Sequence, residues 1–132
     1  MDPAENKQLM RSVYAELAIG NSQPLLETLA EDIRWTVIGT TKFSRTFEGK
    51  QAVINELLAP LRSQIEGRIK VAAHRVLADG DYVVVEARGQ ASTKAGTRYD
   101  NTYCWVYRMA DGKVQEATEY VDTELVTAAF GR

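Results

Sequence analysis

The chain is poor in the side chains from which most catalytic centres are built. Its 132 residues hold one cysteine, Cys104, and one histidine, His74. A lone cysteine forbids an internal disulfide and argues against a thiolate-based zinc site. A lone histidine excludes most multi-histidine metal centres and leaves few partners for a Ser-His-Asp triad. An excess of one charge is also lacking. Sixteen basic and 18 acidic residues leave a formal net charge of −2, which favours neither nucleic acid nor an anionic membrane. No run of about 18 uncharged apolar residues occurs, so no membrane-spanning helix is expected. Asp2, Glu5 and Asn6 make the start acidic and polar, where a secretory signal carries a basic and then an apolar stretch. The expected setting is cytoplasmic, with no metal and no organic cofactor. What is present is 45% apolar and 26% charged residues, the balance of one globular domain spanning 1–132. Such a chain buries roughly two-thirds of its unfolded surface, enough for one core without staples. An internal ligand pocket would take volume from that core, a loss that a second subunit covering apolar surface would offset.

Asp2-Pro3-Ala4-Glu5 reads as a helix start, with Asp2 as N-cap, Pro3 in the first turn and Glu5 closing a capping box. Leu9, Val13 and Leu17, with Met10, Tyr14 and Ala18 one position on, predict a wide apolar stripe ending near Ile19 and Gly20. Ser22 and Pro24 open a shorter helix burying Leu25, Leu26 and Leu29. Residues 33–38 are rich in β-formers and predict a first strand. The stretch from Thr40 to Gly49 is polar apart from Phe43 and Phe47, and reads as a flap or short strand. A third helix follows from Gln51 to Gln64, with Pro60 expected to kink it or to end its regular part near Ala59. Beyond Gly67 the apolar period becomes two. Four strands are predicted near 68–78, 81–93, 98–109 and 113–121, joined by turns at Asp79-Gly80, Lys94–Thr97 and Asp111-Gly112. The order is α-α-β-α-β-β-β-β, of the α+β class, with a short closing helix from Thr123 to Phe130 as a further expectation.

Several segments in this order resemble the nuclear-transport-factor-2-like superfamily, and within it the SnoaL-like and ketosteroid-isomerase-related proteins. They are Asp32-Ile33-Arg34-Trp35, Gly49 before Leu57-Leu58-Ala59-Pro60-Leu61, and Asp79–Glu86. Tyr99–Cys104, Asp111–Val114 and Glu119–Thr123 complete the set. The resemblance implies a cone-shaped, curved antiparallel sheet wrapped around three helices of the N-terminal half, with a mostly apolar central cavity. It also implies a homodimer across the outer sheet face. Members include isomerases, polyketide cyclases, epoxide hydrolases, dehydratases and proteins without known catalysis, so the fold does not settle the function.

Chemistry in so sparing a chain falls to carboxylates and phenols. The resemblance makes Asp122, at the end of the last strand, a candidate general base, with Tyr120 at spacing two expected on the same face. The competing reading makes Asp122 the N-cap of the last helix. By the same resemblance Tyr14 corresponds to the oxyanion-donating tyrosine on the first helix of ketosteroid isomerases, where it acts beside a protonated aspartic acid. The isomerase's early aspartate is missing, since Thr36, Val37 and Ile38 stand there, and the strand over 98–109 offers only Asp100 as an acid. A faithful steroid isomerase is therefore not expected. Trp35, Phe43, Phe47, Leu58, Asn101, Tyr103, Glu119 and Tyr120 are candidate substrate contacts, and Trp35 is the foremost aromatic among them. Tyr103, Trp105 and Tyr107 share a strand face that serves equally as core or interface. Alternation puts Glu119 opposite Asp122, but a bulge would change that, so its face stays open. Glu86 reads as an outer-face ion pair, His74 as an exposed or hydrogen-bonded strand residue and Cys104 as a buried structural thiol. Lys42, Arg45 and Lys50 read as a solvated flap.

Two functions remain at this point. One is an enzyme moving a proton on a small apolar carbonyl substrate by isomerisation, cyclisation or hydration, without cofactor. The other is a non-catalytic ligand-binding or dimeric accessory protein.

Overall fold

Helix α1 (Pro3–Leu17) begins with the capping box expected from its sequence, and a computed structural model describes it along with all of residues 1–132. The Glu5 amide donates to Asp2 at 2.8 Å, and the Asp2 amide donates back to Glu5 at 3.0 Å. Its buried stripe is Asn6, Met10, Val13, Tyr14 and Leu17. The chain turns at Gly20, whose φ of 85° favours glycine, into α2 (Gln23–Thr28). Ser22 does not cap α2 with its side chain; its hydroxyl accepts instead from Arg62 at 2.6 Å.

Strand β1 (Leu29–Val37) follows directly, and after a loop β2 (Thr46–Glu48) pairs back on it. The third helix has three parts: α3 (Lys50–Ala52), a π-helical stretch (Val53–Leu58) and α4 (Ala59–Ser63). The disturbance expected at Pro60 takes the form of that widened turn. The Ala59 N–H reaches back to Ile54 O, five residues earlier. The wider turn accommodates a ring that has no N–H and would press on the carbonyl four residues back in a regular helix.

A meander completes the chain: β3 (Ile65–Asp79), β4 (Tyr82–Thr93), β5 (Thr102–Ala110) and β6 (Lys113–Val121), then α5 (Thr123–Phe130). The curved, unclosed sheet has the order β2-β1-β6-β5-β4-β3. The sheet is not wholly antiparallel, because β1 lies parallel to β6. Short turns force antiparallel pairing only between sequence neighbours, and most of the chain separates these two strands.

The sheet's inner face meets α1 and carries the main core, which includes Met10, Val13, Ile33, Val53, Val85, Tyr107 and Val114. A smaller cluster, Ile65, Ala91, Tyr99, Val126 and Phe130, packs α5 against the sheet. Alternation along β5 turns Tyr103, Trp105, Tyr107 and Met109 inward, and along β6 it turns Ala117 and Glu119 inward opposite them.

Candidate functional site

A pocket of about 410 Å³ opens between the α1–α2 turn, the third helix, the start of β3 and the inner sheet face. Tyr14 comes from α1, Leu58 from the π-helical turn, Trp35 from β1, Tyr103 and Trp105 from β5, and Glu119 from β6. Five of these, all but Trp105, are among the substrate and catalytic candidates read from the sequence. The remaining wall is largely aliphatic, with Leu17, Leu25, Leu61, Ile65 and Ile69.

Glu119 is the acid in this wall. Trp105 Nε1 donates to its Oε1 at 2.9 Å, and Trp35 Nε1 donates to the same oxygen at 3.3 Å. Pairing explains the convergence, since Glu119 stands directly opposite Trp105 on β5 and next to Val37 on β1. Oε2 has no hydrogen-bond partner in the chain, and the residue lines the pocket. Burial pushes the Glu119 carboxyl above its ordinary value, and the two indole bonds pull it part of the way back. An indole is a donor only, so the pair orients the carboxylate without taking its proton.

The phenols around it are held as donors. Tyr14 and Tyr107 share a hydrogen bond of 2.6 Å, and burial pushes both hydroxyls well above the usual phenol range. Burial also raises Tyr103 and Tyr99. Tyr103 stacks on Trp105 with centroids 4.4 Å apart, and Tyr14 tilts against the same indole at 5.7 Å. These contacts fix the ring that carries the shorter bond to Glu119.

The other candidates lie elsewhere. Asp122 is exposed and caps α5, its Oδ1 accepting from the amides of Glu124 at 3.1 Å and Leu125 at 3.3 Å. Tyr120 does not share a pocket-facing side with it, but stands 49% exposed on the outer sheet face. Asn101 is fully buried, but as a clamp on the Asp122 backbone. Its Nδ2 donates to Asp122 O at 3.1 Å and its Oδ1 accepts from Asp122 N at 3.1 Å. Phe47 is core, under the Arg45 guanidinium, and Phe43 packs edge-on against Phe130.

Glu86 faces outward and meets Arg75 at 3.1 Å. Cys104 is half-buried on the same outer face, and burial followed by the nearby Glu86 raises its thiol. His74 is exposed, at a bulge in β3. Lys42 donates to the last carbonyl of α5 at 2.8 Å, and Arg45 pairs with Glu56, so this loop is tied down. No three His, Cys, Asp or Glu side chains converge as a metal-binding set.

The two basic pocket residues had no place in the sequence reading: Arg62 on α4 and Arg68 on β3. A signal for Arg68 existed in Gly67, whose φ of 71° marks a break in the strand. A second, open groove of about 620 Å³ runs between α1 and β3 past Lys7, Arg11 and His74, but gathers no buried acid.

The model of the SnoaL-like domain matches residues 10–117, most of the chain and nearly all of the pocket wall. The chain belongs to the SnoaL-like family. Solved structures agree on the fold. A nuclear-transport-factor-2-like protein of unknown function from Burkholderia pseudomallei superposes with a TM-score of 0.81 at 20% identity, over 96% of this chain and 98% of that one. A proposed SnoaL-like polyketide cyclase from a Jannaschia species gives 0.77 at 20% identity, over 98% and 93%. A proposed isomerase from Bacillus subtilis gives 0.79 at 22% identity, over 99% and 96%. No curated protein matches the chain in sequence. No helix of this SnoaL-like chain is long and apolar enough to cross a membrane.

Proposed function

We propose that this SnoaL-like protein binds a small, largely apolar carbonyl compound and moves a proton on it, with Glu119 as the general base. The carrying observation is the Glu119 carboxylate, which lines the pocket and is held at Oε1 by Trp35 and Trp105 while Oε2 has no hydrogen-bond partner in the chain. A carboxyl raised by burial is a stronger base than one in water, and its fixed orientation favours transfer in one direction. Oε2 takes a proton from the carbon beside the carbonyl, and the electron pair left behind moves onto the carbonyl oxygen. Tyr14 then donates to that oxygen. When Tyr107 donates to Tyr14, the Tyr14 proton is left for the ligand. Return of the proton from Glu119 to another carbon gives isomerisation, and attack by the enolate carbon on a second carbonyl, whose oxygen takes that proton instead, gives cyclisation.

The test is deuterium incorporation into a panel of aryl and ring ketones, followed by NMR with wild type and Glu119→Gln. Wild type accelerates exchange, and the variant loses about a thousandfold, within the usual contribution of a positioned base. Exchange that survives the substitution overturns the assignment. Ketones bound without exchange identify a non-catalytic binding protein instead.

The reading includes a second copy of the chain on the outer sheet face, where Tyr82 and Tyr120 stand 45% and 49% exposed. Covering them offsets the core volume that the pocket takes. Analytical ultracentrifugation checks this, with a dimer expected and a monomer overturning it.

A further inference from the structure

We infer that the ligand of this pocket is an anion, an apolar carbonyl compound with a carboxylate at the end remote from Glu119, and that Arg62 and Arg68 receive that carboxylate at the mouth. This rests on the reading above that the pocket binds a small carbonyl compound. Both arginines line the pocket and both are exposed.

Their charge is unanswered. Arg34, Arg45, Arg75, Arg98 and Arg108 each meet a carboxylate within 4 Å, at distances between 2.5 and 3.1 Å. Arg62 has only the neutral Ser22 hydroxyl, at 2.6 Å, and Arg68 has no hydrogen bond or ion pair.

Arg68 is also placed by a break in regular structure. The β3–β4 register slips between Glu66 and Lys70, so Gly67, Arg68 and Ile69 leave the ladder, and all three line the pocket. A bulge re-aims side chains in this way. The stem of Arg68 lies over Gly20, where an added Cβ would come within 3.2 Å of Cδ. Arg62 is held by Ser22, two residues further along the same α1–α2 turn. Two guanidinium forks therefore stand at the mouth, and a guanidinium matches a carboxylate in a planar, two-bond arrangement.

The polarity of the pocket sets the ligand's direction. Glu119 is the one acid in the wall and repels an anionic end, whereas the mouth attracts it. An acid so held lies with its apolar body along the Trp105 and Tyr103 rings and its carbonyl toward Glu119.

Naphthylacetate and its neutral amide, titrated calorimetrically at low salt, test the inference. Wild type binds the acid at least about tenfold more tightly than the amide, a preference that shrinks as salt rises. Arg62→Gln with Arg68→Gln abolishes the preference, weakening the acid at least about tenfold more than the amide. Arg68→Gln alone, which removes no hydrogen bond, lowers the preference severalfold and serves if the double variant fails to fold. Equal affinities in wild type, or a preference that survives substitution, overturn the inference and leave the binding reading standing. Failure of both compounds to bind overturns both.

Discussion

Glu119 and Asp122 lie three positions apart near the end of one strand, and the fold gives them opposite surroundings. Glu119 is inside β6, where pairing with β1 and β5 brings an indole from each side onto one of its oxygens. Asp122 is just past the strand, where the backbone turns into α5 and leaves the first amides of the helix without partners. Its carboxylate answers those amides in the open. One acid is desolvated and oriented, and the other is solvated and structural. Chemical character thus follows from strand pairing on one side of Val121 and from helix capping on the other.

Activity separates the two acids most strongly. Glu119→Gln is expected to lower α-proton exchange about a thousandfold, whereas Asp122→Asn, measured beside it by NMR, leaves the rate within about twofold. A large loss in Asp122→Asn would reverse the assignment. The Asn101 clamp comes next. Asn101→Ala leaves the Asp122 amide and carbonyl without partners and is expected to cost about 2–3 kcal/mol in urea unfolding, with a smaller effect on ligand affinity. Asp122→Ala removes only the cap and is expected to cost about 1 kcal/mol in the same assay.

Two smaller effects sharpen the view of Glu119. Its folded carboxyl is raised, so the folded state holds a proton that the unfolded state has released, and stability falls as pH rises from the ordinary 4.5 through the raised value. Glu119→Gln lacks this loss. The variant's gain in Tm over wild type is therefore smallest at the acid end of that window and grows toward neutral pH. A constant difference would show that Glu119 is not perturbed. Trp105→Phe removes the shorter indole bond and raises the carboxyl further, so the acid limb of the exchange–pH profile moves to higher pH. An unmoved limb would mean that the indole merely packs.

Much of the frame was legible from local chemistry. The capping box of α1, the glycine turns of the meander and the alternation along β5 are short-range signals, and each has its counterpart in the structure. The spacing of Ala117, Glu119 and Val121 also put an acid in phase with apolar positions, which was the available sign that Glu119 faces inward. Its force depended on knowing which phase is inside. The parallel pairing of β1 with β6 joins strands separated by most of the chain, and no local signal encodes it. The arginines at the mouth were hidden for a similar reason. The slip in strand register that takes Arg68 out of the ladder is set by pairing with β4, with Gly67 as its one local mark, and nothing in the sequence singles out Arg62.

By itself, then, the amino-acid sequence determined which chemistry was available to this protein. With one cysteine and one histidine it left carboxylates and phenols, and its periodicities set the helices and strands that carry them. Only the tertiary structure decided which carboxylate is set apart from water. Desolvation depends on neighbours from β1 and β5 closing around β6, a long-range arrangement that no three-residue spacing can express.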